Sequence, residues 1–371
     1  MKIIMFGHKR IPSREGGVEI VVEKLSTRMV ALGHEVVCYN RGGHHVSNRE
    51  YDVKKMKEYK GVKIRTVPTV DKKGLAAVTS SFFAAIKCIF SSAKVVHIHA
   101  EGPAFMCLLP KLFGKKVIVT VHGLDWQRDK WKSGFASKYI RMGEKAAVKH
   151  ADEIIVLSYG VKDYFKQIYG RETVYIPNAV ERPSLRAPQL IAEKFGLTKD
   201  GYILFLGRLV PEKGVHLLID AFKKVNTDKK LVIVGGTSDT DAYVDELMCS
   251  ANEDSRIIFA GFAQGELLEE FYSNAYLYIL PSSLEGMPLS LLEAMSYGNA
   301  CVVSDIPECT DVVGDKAFVV KPQADELQKC IQSLCDDEET VRKYKAGAAD
   351  YICEKYNWED VVNRTLELYD K

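Results

Sequence analysis

A chain of 371 residues, 47% hydrophobic and 27% charged, is long enough to bury two cores and has the balance of an ordinary globular protein. Its longest apolar stretches, such as 74–90, contain Lys87 and hydroxyl residues and fall short of a membrane span, which excludes integral insertion. The net charge of +2 hides a division, because residues 1–180 have 31 Lys and Arg against 16 Asp and Glu, whereas residues 181–371 have 20 against 33. The first half is therefore expected to meet something anionic.

The run KIIMF (2–6) reads as a first strand and leaves no room for a signal peptide. It leads through HKRIPSREGGVE to a helix over 18–32, with Gly16 and Gly17 where that helix begins. Paired glycines let backbone approach a ligand beside the positive end of a helix, although the spacing is not that of a dinucleotide site. Further strands are predicted at 35–40, 62–67, 94–99, 116–121, 153–158 and 173–177, with a helix over 135–150. Near-continuous Val/Ile runs alternating with helix-length stretches imply βαβ units and a buried parallel sheet.

Residues that follow strand ends are the natural ligand contacts of such a sheet. His97 and His99 alternate on one strand and point the same way, but no third ligand at useful spacing suggests metal. After the strand at 116–121 comes HGLDWQRDKW, in which His122 is placed to donate to a hydroxyl or phosphate. Trp126 and Trp131 are candidates to stack on a sugar face or to pack a domain wall. Arg128, Lys130, Lys132, Lys138, Arg141 and Lys145, interleaved with aromatics, suggest a surface facing anionic lipid.

The polar stretch 178–188, with two prolines, reads as a linker, after which the pattern restarts with strands at 202–207, 230–236, 256–261, 275–281, 300–305 and 317–321. In GRLVPEKG (207–214) a strand ends at Gly207, and Arg208 and Lys213 bracket the turn into the next helix, a suitable clamp for a diphosphate. In PSSLEGMPLSLLEAMSYG (281–298) a loop bears Glu285, a helix starts near Pro288 or Leu289, and Glu293 follows on it. Two carboxylates suit vicinal hydroxyls, and the amides of Gly286, Met287, Pro288 (carbonyl only) and Leu289 lie at a helix N-terminus. No D-x-D pair is placed to hold a metal–diphosphate; Asp239 and Asp241 read as a helix start. The nine cysteines show no metal spacing and fit a reducing, cytoplasmic setting.

Taken together, the Glu285…Glu293 element, GRLVPEKG, IPNAV (176–180) and the Gly16–Gly17 loop resemble a family 4 retaining glycosyltransferase of the GT-B fold, over nearly the whole chain. The resemblance implies two Rossmann-like α/β domains facing across a cleft: residues 1–180 for the acceptor, 181–356 for a nucleotide-sugar donor, and a terminal helix over 357–371 packing back on the first. It implies that Arg208 and Lys213 bind the donor diphosphate, Glu293 the ribose, and Glu285 with Gly286, Met287, Pro288 and Leu289 the transferred sugar. It places Gly16 and Gly17 by the phosphates, the base by Phe262 and Ala263, and His122 beside the sugar. Glu19 falls where an acceptor contact is expected, and His99, Asp125, Trp126 and Arg128 complete that group. The N-terminal motifs resemble bacterial members that build cell-surface polysaccharides, rhamnosyltransferases among them.

The implied reaction moves a hexosyl or deoxyhexosyl group, with retention, onto a glycan or a polyprenyl-diphosphate-linked sugar, without metal or cofactor. The basic half fits such an anionic acceptor, with peripheral contact at an inner membrane face. A nucleotide-sugar epimerase of similar fold and an inactive carbohydrate-binding partner protein are the rival readings. Nucleic acid is not an expected partner, because no recognition motif accompanies the basic half.

Overall fold

A computed structural model describes residues 1–42, 56–70, 72, 74–127, 134–236 and 240–371. The chain forms two compact units, Met1–Asn178 with Trp358–Lys371, and Ala179–Asn357.

In the first unit the strands are β1 (Lys2–Phe6), β2 (Glu35–Arg41), β3 (Glu58–Tyr59), β4 (Val62–Val67), β5 (Val95–His99), β6 (Lys116–Val121), β7 (Glu153–Val156) and β8 (Val174–Tyr175). Their order in the sheet is β3-β4-β2-β1-β5-β6-β7-β8. Every pair is parallel except β3 with β4, a two-residue return that the hydrophobic pattern did not announce. Phe6 lies opposite Ile98, and Ile98 opposite Val119, so apolar residues stack across the sheet. Ile4, Phe6, Val37, Val96, Val117 and Val119 are buried on one face and Ile3, Met5, Val36 and Ile118 on the other, which explains why these strands read as unbroken apolar runs. The helix Trp358–Asp370 packs on the helix Gly17–Ala31 and on β6. Its Trp358 ring lies beneath the Arg28 guanidinium, 5.2 Å from the centroid.

In the second unit β9 (Tyr202–Leu206), β10 (Lys230–Val234), β11 (Ile257–Gly261), β12 (Leu277–Leu280), β13 (Ala300–Ser304) and β14 (Phe318–Val320) form a parallel sheet in the order β11-β10-β9-β12-β13-β14. The stretch read as a linker is not a free tether. Arg186 donates its N–H to Ser273 Oγ (3.0 Å), accepts from Asn274 and pairs with Glu269, which straps the segment onto the helix Gly265–Asn274.

Both sheets have the doubly wound order, in which the chain works outward from two adjacent central strands. The reversal falls between β1 and β5 in one unit and between β9 and β12 in the other. Ligands of such sheets sit outside the carboxyl ends of those two strands. The loops after β1, β5, β9 and β12 therefore border the candidate ligand sites.

Candidate active site

In the second unit the loops after β9 and β12 are stitched together by backbone. Gly207 N–H donates to Val234 O (3.0 Å) and Leu209 N–H to Gly236 O (3.1 Å), so the chain carrying Arg208 lies along the end of β10. A side chain at Gly235, where φ is +157°, would place its Cβ 1.8 Å from the Gly207 carbonyl oxygen. Next comes a 3₁₀ turn, Pro211–Lys213, ended by Gly214 at φ +69°. A Cβ there would sit 2.2 Å from Pro281 O, and Ser283 N–H donates to Glu212 O at 2.9 Å. Only glycine at 214 and 235 lets the two loops close this tightly.

The close approach brings Lys213 Nζ to 2.5 Å from Glu285 Oε1, with side chains only 12% and 7% exposed. The sequence assigned these residues to different parts of a ligand and did not anticipate that they would pair. Glu293, on the helix Leu289–Ser296, accepts from Tyr272 Oη at 3.2 Å. Tyr272 is fully buried and stacks on Tyr297, so it fixes the carboxylate from behind. Pro288 is the N-cap residue of that helix, with no side chain capping the first turn. Met287, Pro288 and Leu289 are buried, as is Gly286 before them. Arg208 is partly exposed, Phe262 lies beside Gly236, and Ala263 is buried behind it. Arg208, Lys213, Glu285, Glu293 and the first turn at 289 thus all stem from the two loops and one helix at the switch point.

In the first unit the same edge is built of histidines and carboxylates. His99 Nδ1 lies 3.1 Å from His122 Nε2, and the His97 and His99 rings stack with centroids 4.2 Å apart. His97 is held by Tyr369 Oη (2.6 Å) and Thr120 Oγ1 (2.7 Å). Burial pushes His97 down to about 3 and His99 well below the usual range, with His97 and His122 adding repulsion for His99. Both are neutral imidazoles. His8, also buried and bonded to Asn40 at 3.0 Å, is brought down to about 4 by burial against the opposing pull of Glu19.

The residues assigned to the acceptor differ in their burial. His99 is fully buried and lies within hydrogen-bond distance of His122. Glu19 is buried too, and its Oε1 accepts the Lys9 N–H at 2.8 Å. Burial would raise its pKa, but Lys9 and the backbone donors bring it below the ordinary value. A Cβ at Gly16 would come within 2.6 Å of Glu19 Oε2, which gives that extended glycine a structural reason. Gly17 opens the helix behind it.

Trp126 is half-buried and held in place: its Nε1 donates to Glu144 Oε2 (3.1 Å) and Arg141 lies over the ring at 4.1 Å. Asp125 donates its N–H to Glu101 Oε2 at 2.7 Å. The Glu101–Glu144 pair beneath this turn was not legible, since both look like ordinary helix residues. Glu144 also accepts from Tyr164 (3.0 Å) and Tyr169. Burial, then Asp125 and Glu144, push the Glu101 carboxyl well above the usual range. Arg128, Lys130, Trp131, Lys132 and Asp239 lie outside the described residues, while Asp241 does open a helix, Asp241–Ala251. Lys138, Arg141 and Lys145 are exposed on the helix Gly134–His150. Among the described residues no group of three His, Cys, Asp or Glu is arranged for a metal ion.

Residues 189–367 match the family model for glycosyl transferases group 1, and residues 15–182 match that for glycosyltransferase family 4. The chain belongs to glycosyltransferase family 4. Alpha-maltose-1-phosphate synthase of Mycolicibacterium smegmatis is 26% identical over 310 residues, covering 76% of this chain and 79% of that protein. O-antigen chain mannosyltransferase B of Escherichia coli is 29% identical over 201 residues, 53% of this chain and 51% of its own.

Among solved structures, sucrose-phosphate synthase of Thermosynechococcus elongatus superposes with a TM-score of 0.83 at 21% identity, covering 100% and 98% of the two chains. HepE of Anabaena, solved with UDP-glucose, superposes at 0.80 and 16% identity, covering 99% and 98%. At these identities the likeness shows the fold, two Rossmann-like domains of the GT-B type. By its two family models the enzyme is a glycosyltransferase, which decides against the epimerase.

Proposed function

We propose that this glycosyltransferase takes a hexosyl or deoxyhexosyl group from a nucleoside-diphosphate sugar and transfers it, with retention of configuration, to a hydroxyl of a glycan or lipid-linked sugar in cell-surface polysaccharide synthesis. The observation that carries the donor half is the convergence of Arg208, Lys213, Glu285 and Glu293 at the switch point of the second sheet. In this reading Arg208 and Lys213 hold the diphosphate, Glu293 the ribose hydroxyls, and Phe262 and Ala263 flank the base. Gly286, Met287, Pro288 and Leu289 approach the phosphate and sugar, with Glu285 on the sugar hydroxyls. From the first unit, His122 is assigned to the transferred sugar, Gly16 and Gly17 to the phosphates, and Asp125 and Arg128 to the acceptor. The O-antigen mannosyltransferase relative supports the polysaccharide role.

As the glycosidic bond breaks, charge grows on the leaving diphosphate, and two fixed cations stabilise it without reorganising. Lys213, paired to Glu285, is already oriented and partly desolvated, which strengthens its effect on a nearby phosphate. Glu285 is engaged by that lysine and so is poorly suited to attack the anomeric carbon. The acceptor hydroxyl then adds to the same face that the diphosphate leaves, and a phosphate oxygen takes its proton. Two cations are enough for the diphosphate, so no metal enters the scheme.

The test is proton NMR of the product formed from an α-linked donor. An α-linked product, formed at an unchanged rate in EDTA, is expected. A β-linked product refutes retention, and loss of turnover in EDTA that added Mg²⁺ restores refutes the metal-free scheme.

A further inference from the structure

The apolar stretch 74–90 finds no use in the donor or acceptor reading, and the structure shows it to be unusual. It forms a helix, Leu75–Ile89, whose buried residues are the small ones, Ser80, Ser81, Ala84, Ala85 and Cys88. The aromatic ones face outward: Phe82 and Phe83 are exposed, as is Leu75, and Phe90, at the helix end, is 84% exposed, while Val78, Ile86 and Ile89 are half-buried. This inverts the usual amphipathic arrangement, in which the bulky apolar stripe faces the core. The short helix Leu108–Leu112 packs beside it, and there Leu112 is 68% and Phe113 58% exposed. Lys115 Nζ donates to Ser91 O at 2.6 Å, which ties the turn after Phe113 to the turn after Phe90. Exposed apolar side chains gathered on two helices that pack together mark an interaction site.

Its charge identifies the partner. Between residues 72 and 116 the sequence has seven lysines and one acid, Glu101, which is fully buried. Lys87 and Lys94 are exposed around the aromatic residues. Lys111, also exposed, is engaged by Asp152. Large aromatic and aliphatic side chains ringed by lysines match a bilayer with anionic headgroups, where the rings enter the acyl boundary and the ammonium groups stay at the phosphates. No helix among the described residues is long and apolar enough to cross a membrane, so such contact is peripheral.

We infer that the surface formed by Leu75, Phe82, Phe83, Phe90, Leu112 and Phe113, with its rim of Lys87 and Lys94, docks the enzyme on an anionic lipid bilayer. The surface lies away from the edge of the sheet that carries His99 and His122, because the turns after Phe90 and Phe113 lead into the amino ends of β5 and β6. It also differs from the 128–145 basic stretch that the sequence favoured for this role. It does not depend on the donor reading, and its test needs no turnover.

The full chain is mixed with vesicles of phosphatidylcholine, with or without phosphatidylglycerol, and floated at low salt. The protein is expected to float with the anionic vesicles only. Combined Phe82→Ser, Phe90→Ser and Phe113→Ser should weaken partitioning about tenfold or more. Loss of each lysine in Lys87→Gln and Lys94→Gln should weaken it about fivefold. Should the triple variant fail to fold, Phe90→Trp emission, expected to shift blue on anionic vesicles, decides the question. The inference is overturned if the wild type ignores anionic vesicles, or if Phe90→Trp emission does not move. It is equally overturned if Lys138→Gln with Lys145→Gln abolishes binding while the phenylalanine variant retains it. A lipid-free dimer that these phenylalanine substitutions dissociate, without vesicle binding, would assign the surface to a second copy instead.

Discussion

Replacing Lys213 by alanine is expected to lower kcat/KM by about 10²–10³, and also to destabilise the second unit. The first effect is the loss of a fixed cation where diphosphate charge develops. The second follows from the pairing with Glu285: at 12% and 7% exposure neither side chain has water to fall back on. Removing one partner of such a buried pair costs about 3–5 kcal/mol, since the other charge is left without compensation. The two effects separate in a double variant. Lys213→Met combined with Glu285→Gln removes both charges while keeping their volume, and is expected to recover most of the stability but none of the activity. Denaturant unfolding and initial rates on the two variants check this. If the double variant regains activity, Lys213 is a structural partner of Glu285 and not a phosphate ligand.

Acidification from pH 7 to pH 5 is expected to destabilise the first unit. His8 and His97 are buried and neutral, with pKa values brought down to about 4 and about 3 from the ordinary 6.5. Between those values and 6.5 the unfolded chain binds the proton and the folded chain does not. Stability is therefore fully present above pH 6.5 and is lost as pH falls through the window toward 4 and 3. At pH 5 each histidine accounts for about 2 kcal/mol. His99, pushed down by burial as well, acts in the same sense. Glu101 acts in the opposite sense, because its raised pKa makes the folded chain the proton binder above its ordinary value of 4.5. It opposes the three histidines, which all act in the destabilising sense. All three tryptophans, Trp126, Trp131 and Trp358, fall within the sequence ranges of the first unit, so their fluorescence follows its unfolding by urea selectively. A midpoint that stays level or rises between pH 7 and pH 5 would contradict the burial of these rings as neutral imidazoles.

The fold was legible because its signals are local. Runs such as KVIVTV (116–121) and YILFL (202–206) are buried on both faces of parallel sheets, and continuous Val/Ile/Leu character is the direct consequence. The loops after those strands were legible for a related reason: glycine at 207 and 214, cations between them, and proline before a helix each declare a backbone requirement. What escaped was pairing across distance. Lys213 and Glu285 are 72 positions apart, and nothing in either neighbourhood says that Gly214 will seat against Pro281 and bring them together.

The same holds for Glu101 and Glu144, which anchor the Asp125–Trp126 turn from two different helices. The contacts that hold Trp126 escaped likewise, because neither Arg141 nor Glu144 is near it in sequence. The outward stripe of the helix Leu75–Ile89 escaped for another reason. An apolar stretch normally implies burial, and only the structure shows that its small residues took the core side.

The central claim, that the switch point of the second sheet binds the diphosphate of a nucleotide-sugar donor, is tested most directly by calorimetric titration of the full chain with UDP, GDP and dTDP in EDTA. One of the three is expected to bind, and Arg208→Ala and Glu293→Gln each to weaken it at least about tenfold, the loss expected for one charge-assisted hydrogen bond in a partly buried site. If none of the three binds, or if the two variants bind as tightly as the wild type, the donor site is not where these residues meet.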